Sequence, residues 1–119
     1  MNTKPVTPTL HGTIDYAFSG IQLLAPLALG LGPQMAKTYG ALGLGFLGVN
    51  AFTDTPAGIR HSISFRNHQR LDLSFLAGLS LLSMVRFIRG NKKALRFHLA
   101  FLGLAVAHYV LTDYKSGSR

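Results

Sequence analysis

The stretch Tyr39-Gly-Ala-Leu-Gly-Leu-Gly-Phe-Leu-Gly-Val-Asn-Ala-Phe-Thr53 decides the fold class, because it runs without a single charged side chain. A second charge-free run covers residues 73–85. A helix of a soluble bundle carries a charged or polar stripe along one face, and neither run contains a charged one. Long uncharged runs are typical of helices that cross a bilayer. The sequence therefore predicts helices that are embedded in a membrane.

Four apolar segments can be drawn along the chain, each about 19 to 21 residues long and able to span roughly 30 Å as a helix. They cover residues 13–31, 35–53, 70–88 and 93–113. Short connections after the first and third segments predict two antiparallel hairpins. The longer central linker, 55–67, contains Thr55-Pro56 and then Ile59 and Ile63 on one face, which predicts a short amphipathic helix in the interface. We therefore predict an all-α protein with four transmembrane helices, located in the inner (plasma) membrane as a multi-pass protein.

Composition agrees with lipid as the main partner. The 119 residues suit one domain, and 48% hydrophobic against 13% charged residues is apolar for that size. The net charge of +8 comes from Lys and Arg residues that fall mostly between the apolar segments. A nucleic-acid footprint would instead gather cations and stacking aromatic side chains on one face. We expect contact with anionic lipid headgroups and no nucleic-acid partner, and the absence of cysteine excludes thiolate metal ligands.

Polar residues at the segment ends form an internal repeat. The motif His-x-x-x-Asp occupies 11–15 and again 68–72, an offset of 57 residues. The dipeptide Thr-Asp occupies 53–54 and again 112–113, an offset of 59 residues. The chain is thus predicted to be one membrane domain, 1–119, made of repeat 1 (11–54), the linker (55–67) and repeat 2 (68–113).

Two antiparallel hairpins bring these motifs to one membrane face. Asp15 and Asp72 fit helix starts, where a negative charge complements the helix dipole. Asp54 and Asp113 fit helix ends, where the dipole opposes a negative charge, so each of them requires a donor. The predicted polar cluster is His11, Asp15, Asp54, His68, Asp72, His108 and Asp113. Its simplest interpretation is a structural clamp between the two hairpins.

Two further interpretations of the cluster involve a cofactor. Two His and two Asp side chains from related helices suit Zn or Fe, with His11, Asp15, His68 and Asp72 as the ligands. A haem held by His11 and His68 is a second alternative, although no sequence feature marks a porphyrin slot. Transport of a small solute or of protons is a third alternative for the function, because buried polar groups in membrane helices often line such paths.

Small residues mark faces for close helix packing. Short side chains let helix backbones approach each other in lipid, as small-x-x-x-small pairs do. The residues predicted to pack in this way are Ala41, Gly45, Gly48, Gly78 and Gly103. Pro26 predicts a kink in the first helix, because it frees the carbonyl of Gln22 from its helical hydrogen bond. We expect a non-enzymatic structural or accessory module that associates with itself or with a larger membrane complex through these faces.

Several short motifs together resemble the SPW-repeat family of small bacterial membrane proteins. They are His-Gly-Thr-Ile-Asp-Tyr at 11–16, Ala-Pro-Leu at 25–27, Thr-Asp at 53–54, His-Gln-Arg-Leu-Asp at 68–72 and Thr-Asp-Tyr at 112–114. That family consists of paired transmembrane helices with a Ser-Pro-Trp signature in the first helix of each pair. Of the signature, the first copy here keeps Pro26, and the second copy reads Leu82-Ser-Met84. The resemblance implies four membrane helices and no assigned activity.

Overall fold

The computed structural model describes residues 4–115, and its regular secondary structure there is α-helical, which confirms the all-α prediction. The helices are α1 (Pro8–Ala28), α2 (Pro33–Ala51), α3 (Phe65–Leu82), α4 (Arg86–Arg89) and α5 (Lys92–Leu111). An isolated bridge between Val6 and Thr112 joins the segment before α1 to the end of α5. A second bridge, between Ile63 and Thr53, joins the segment before α3 to the end of α2. The ends of four helices therefore meet in one region.

Helices α1 and α3 begin in the same way. The Thr7 hydroxyl accepts a hydrogen bond from the amide of Leu10, and the Ser64 hydroxyl accepts one from the amide of Asn67. Such caps satisfy amides that lack a partner in the first turn. Both helices start several residues earlier than the sequence predicts, because Thr7 and Ser64 are the caps that the chain uses.

The turn between α1 and α2 depends on two glycines. Gly30 and Gly32 have φ angles of 63° and 100°, a region that residues with a Cβ rarely enter. Pro33 then begins α2 with a backbone angle already suited to a helix. This turn reverses the chain so that α1 and α2 pack along each other as the predicted first hairpin.

The apolar core lies between this hairpin and α5. Phe18 and Tyr39 contact opposite sides of the Phe101 ring, with ring centroids 5.4 and 5.7 Å away. Phe46 stacks on Phe75 at 4.8 Å, which joins α2 to α3. Aromatic pairs of this kind add to the stabilisation from apolar burial. These ring contacts thus join α1, α2, α3 and α5 in one apolar core.

The prediction of four transmembrane helices and of a multi-pass membrane location is wrong. Among the described residues, α5 is the one helix long and apolar enough to cross a bilayer. A run without charge is not by itself a membrane span, because α2 as a whole also contains Gln34, Lys37 and Asn50 beside its four glycines. In α3 the first turns carry Arg66, Arg70 and Asp72, so its apolar part is confined to residues 73–82, about 15 Å of helix.

The central linker also differs from the prediction. No helix covers 55–63; this part of the linker forms turns and bends and ends in the bridge between Ile63 and Thr53. Backbone hydrogen bonds from Ser62 and Ile63 to the carbonyl of Phe52 hold it against the end of α2. The predicted interfacial helix is therefore wrong, because the linker pairs with the preceding helix end instead of lying free.

Other differences concern helix ends. The third predicted segment divides into α3 and α4 at Ser83-Met84, where the Ser83 hydroxyl contacts His98 at 2.9 Å. Pro26, predicted at the middle of a helix, lies in the last turn of α1, which ends at Ala28. Beside it, Gln22 is fully buried, and its amide makes no hydrogen bond within the described residues.

A substitution at Gly43 should separate α1 from α2. A Cβ added there would lie 3.0 Å from the Gln22 side chain and 3.3 Å from the Ser19 carbonyl oxygen. We expect Gly43→Ala to lower the free energy of unfolding by roughly 1–3 kcal/mol. Gly45→Ala on the same helix is the control, because a Cβ there meets nothing within 4 Å and should add up to about 1 kcal/mol of helix propensity. Equal midpoints of thermal unfolding for Gly43→Ala and Gly45→Ala would contradict the close packing of α1 on α2 at Gly43.

Candidate functional site

Four side chains from α1 and α3 converge in the buried region where the helix ends meet. His11 and Asp15 lie one turn apart on α1, and His68 and Asp72 lie one turn apart on α3. One possible metal-ligand atom from each residue lies within 4.8 Å of those from the other three. All four residues are at most 6% exposed. We call these four residues the His/Asp cluster.

The distances within the His/Asp cluster are short and even. The Nε2 atoms of His11 and His68 are 3.2 Å apart. Asp15 Oδ2 is 3.1 Å from His11 Nε2 and 2.9 Å from His68 Nε2. Asp72 Oδ2 is 3.1 Å from His11 Nε2, and Asp72 Oδ1 is 3.3 Å from His68 Nε2. Both imidazole Nε2 atoms therefore face both carboxylates.

Two threonines fix the orientation of the imidazoles. The Thr53 hydroxyl donates to the Val49 carbonyl at 2.6 Å and contacts His68 Nδ1 at 2.7 Å. Likewise, the Thr112 hydroxyl donates to the His108 carbonyl at 2.6 Å and contacts His11 Nδ1 at 2.7 Å. Because a hydroxyl has one proton, each threonine accepts from the imidazole. Nδ1–H is therefore assigned on both rings, which aims Nε2 into the cluster.

The two carboxylates also have partners outside the cluster. His108 Nε2 lies 2.8 Å from Asp15 Oδ1, and the Tyr114 hydroxyl donates to Asp72 Oδ2 at 2.7 Å. The His108 ring also stacks on His11, with centroids 4.0 Å apart. Each member of the cluster is thus held by one side chain from outside it: Thr112, Thr53, His108 and Tyr114.

The carboxylates have different surroundings from those expected. Asp15 and Asp72 lie about two turns inside their helices, and the first turns of α1 and α3 carry no acid, so the helix-dipole account does not apply to them. Asp54 lies at the surface, 3.1 Å from His61 Nδ1. Asp113 is buried, and its amide donates to the Val6 carbonyl. Neither Asp54 nor Asp113 is among the four donor residues brought together in the cluster.

Mutual interactions in the His/Asp cluster shift its pKa values. Burial alone lowers the pKa of His68, but hydrogen bonds to the two carboxylates outweigh it and raise the pKa to about 9. Burial and the same carboxylates act on His11 in the same directions, and its pKa is also raised. For Asp15, burial raises the pKa, whereas hydrogen bonds from three imidazoles outweigh it and hold the pKa well below its usual value. Burial also raises the pKa of Asp72, but hydrogen bonds from His11 and His68 outweigh it, so the pKa is lowered.

A divalent metal ion fits the His/Asp cluster. Zn²⁺ binds imidazole nitrogen and carboxylate oxygen at about 2.0–2.2 Å, so tetrahedral ligand atoms lie about 3.3 Å from each other and octahedral neighbours about 3.0 Å. The separations that involve the two imidazole nitrogens run from 2.9 to 3.3 Å, and all four ligand atoms lie within 4.8 Å of one another. The donor set of two nitrogens and two oxygens also suits other divalent first-row metals.

A haem does not fit the same residues. Axial ligation by both His11 and His68 requires the two rings to face each other across an empty plane. Here the oxygens of Asp15 and Asp72 lie within 3.3 Å of both Nε2 atoms and fill that space. The haem alternative is therefore dropped.

Three residues that hold the cluster escaped the sequence reasoning as site residues: Thr53, Thr112 and Tyr114. The signal for two of them was present, because the Thr-Asp dipeptide is repeated. In each dipeptide the threonine, and not the acid, contacts an imidazole of the cluster. Tyr114 follows the second dipeptide and has no matching tyrosine after the first, so the repeat could not indicate it.

The small residues of α2, α3 and α5 point away from the rest of the chain. A Cβ built at Gly45, Gly48, Gly78 or Gly103 meets nothing within 4 Å in the described residues. These faces are therefore open, and association through them stays a prediction.

Comparison of the chain with protein-family models, curated proteins and solved structures gave no match. Any inference about function rests on the residues themselves.

The metal-free protein should lose stability as pH rises. The pKa of His68 is 6.5 in the unfolded chain and about 9 in the fold, so its contribution is complete below pH 6.5 and is lost as pH rises through 9. We expect the free energy of unfolding, measured with a chelator present, to fall by up to roughly 3 kcal/mol across this window. His68→Gln should flatten the decline, and the surface variant His61→Gln should keep it. An unchanged decline in His68→Gln would contradict the assignment.

Proposed function

We propose that this protein binds one divalent transition-metal ion at the His/Asp cluster. The observation that carries the proposal is the convergence of two imidazoles and two carboxylates whose ligand atoms lie within 4.8 Å of one another, on residues that are at most 6% exposed. The two nitrogens and two oxygens match Zn²⁺ and Fe²⁺ in ligand type and in reach.

The hydrogen bonds around the cluster support the same proposal. Histidines that bind metals usually donate their other N–H to an oxygen, which fixes the tautomer and orients the ring. Thr112 and Thr53 accept from Nδ1 of His11 and His68 in this way. Both carboxylates have a further partner as well: His108 contacts the Asp15 oxygen that faces neither His11 nor His68, and Tyr114 donates to the Asp72 oxygen that also faces His11.

The internal repeat predicted from the sequence gives the site a simple origin. His11 and Asp15 correspond to His68 and Asp72 at an offset of 57 residues, and the helix caps Thr7 and Ser64 have the same offset. Bridges at Val6 and Ile63 also occupy equivalent positions. A duplicated hairpin would contribute one His and one Asp from each copy, which supports a site with four ligands.

The bound ion would act between the two halves of the chain. Helix α1 packs mainly on α2, and α3 contacts α5, so the His/Asp cluster is the principal polar link between α1 and α3. A metal held by two ligands from each helix would fasten these halves together and would offset the mutual repulsion of the two buried carboxylates. This role incorporates the clamp that the sequence suggested, with an ion as its centre.

Metal content is the direct test. We expect the full chain, prepared without a histidine tag, to bind about one Zn²⁺ or Co²⁺ per molecule after gel filtration, measured by elemental analysis. Because the ion binds the folded chain and not the unfolded chain, it should also raise the midpoint of thermal unfolding. An ion at a thousand times its Kd adds about 4 kcal/mol to the free energy of unfolding. His68→Ala should reduce retained metal below about one-tenth of an equivalent, since a ligand is lost.

The matched control is His61→Ala. His61 is about half exposed, pairs with Asp54 and lies outside the cluster, so its loss should leave the bound metal unchanged. Wild-type protein that retains no transition metal, or equal metal in both variants, would rule out the proposed site.

A threonine beside the site should tune the affinity without providing a ligand. Thr53→Val removes the acceptor for His68 Nδ1, and we expect it to weaken Zn²⁺ binding about 10- to 100-fold in competition with a chelator. Thr13→Val is the control, because the Thr13 hydroxyl makes the same kind of bond to the carbonyl four residues back and contacts no histidine. Thr53→Ser should restore most of the affinity. Equal Kd values for Thr53→Val and Thr13→Val would contradict this role.

A further inference from the structure

The surroundings of the His/Asp cluster are less symmetric than the cluster itself. His11 Nε2, His68 Nε2 and Asp15 Oδ2 form a close triangle with sides of 3.2, 3.1 and 2.9 Å. Asp72 shares its two oxygens between the imidazoles and lies slightly closer to the surface than Asp15. Two histidines and one carboxylate on one side of an ion are typical of centres that keep a position for an outside ligand. Asp72 therefore marks the side on which such a position would lie.

A cavity adjoins Asp72 on this side. It has a volume of about 10 Å³, room for one water-sized molecule, and lies between α1, α2, α3 and α5. Asp72, His108 and Tyr114 form its polar wall, and Phe18, Phe46 and Ala105 contribute to its apolar wall. An apolar wall with a few polar groups is the usual construction of a small-ligand site.

Two polar atoms of the residues that line this cavity can accept a further hydrogen bond, and both belong to residues more than nine-tenths buried. Within the described part of the chain His108 Nδ1 has no hydrogen-bond partner, and Asp72 Oδ1 has only the 3.3 Å contact with His68 Nε2. His108 donates from Nε2 to Asp15, so the neutral ring has an acceptor at Nδ1. Buried polar atoms of this kind are normally satisfied by a partner, because an unsatisfied buried group destabilises the fold. The cavity thus combines two hydrogen-bond acceptors, on Asp72 and His108, with space for one small molecule.

We propose that the metal centre takes a small outside ligand, of water or diatomic size, from the cavity between Asp72 and His108. This inference rests on the proposed function, because the ligand would bind to the ion. Water would occupy the position at rest and donate hydrogen bonds to Asp72 Oδ1 and His108 Nδ1. A diatomic molecule of similar size would replace that water, whereas the aromatic and aliphatic side chains around it would exclude larger ligands.

The probe for this position is nitric oxide on the Fe²⁺-loaded full chain. The protein is loaded without oxygen, its iron content is measured, and nitric oxide is titrated while visible absorption and electron paramagnetic resonance are recorded. We expect close to one iron nitrosyl per bound iron. Ala105→Val adds two methyl groups at the cavity and should weaken nitric oxide binding by about tenfold or more at unchanged iron content.

Ala100→Val is the matched control, because Ala100 is exposed on the same helix and should leave the nitrosyl unchanged. Leu76→Phe fills the cavity from α3 and gives a second variant if Ala105→Val does not retain iron. Iron-loaded wild-type protein that forms no nitrosyl would overturn the inference and leave the metal-binding proposal standing. Nitrosyl formation that is equal in wild type and in the iron-retaining filled variants would also overturn it. A chain that binds no metal at all would instead refute the proposed function.

Discussion

Two carboxylates buried beside the same two imidazoles set the main constraint on this fold. Asp15 and Asp72 are almost completely removed from solvent, and buried charge is tolerated only where opposite charge or hydrogen-bond donors surround it. The chain meets this requirement with donors from both ends of the sequence, including His108 and Tyr114. The positions of the helix ends follow from it, because each donor is effective only when its helix stops at the right depth.

The threonines show how secondary structure and site chemistry are linked. Thr53 and Thr112 stand just beyond the last turns of α2 and α5, where their hydroxyls donate to carbonyls that the helix end leaves accessible. The same oxygens accept from an imidazole of another helix. One hydroxyl therefore caps a helix end and orients a histidine. The isolated bridges beside these threonines hold the backbone in register, so the orientation is a property of the fold rather than of one contact.

The sequence allowed the helical class, the first hairpin and the pairing of His11 with His68 to be anticipated from periodicity and repetition. It misled where a pattern had two physical meanings. A run without charge can be a complete membrane span or only part of a helix that also carries polar residues, and α2, which contains Gln34, Lys37 and Asn50, is the latter. An acid near a predicted helix start can serve the helix dipole or a partner in space, and Asp15 does the latter. The choice between such meanings depends on contacts between residues as distant as Asp15 and His108, which no local pattern records.

The departure from symmetry is more informative than the symmetry. The motifs that recur in the sequence contain one His, one Asp and one Thr in each half, and such a set alone would form a closed site with equivalent sides. His108 and Tyr114 have no counterparts at the matching positions of the first repeat, which are Val49 and Thr55. These two residues distinguish Asp15 from Asp72, and both line the cavity. In the proposed site the repeated residues would hold the ion, whereas the unrepeated ones would line the single side from which a small molecule would approach it.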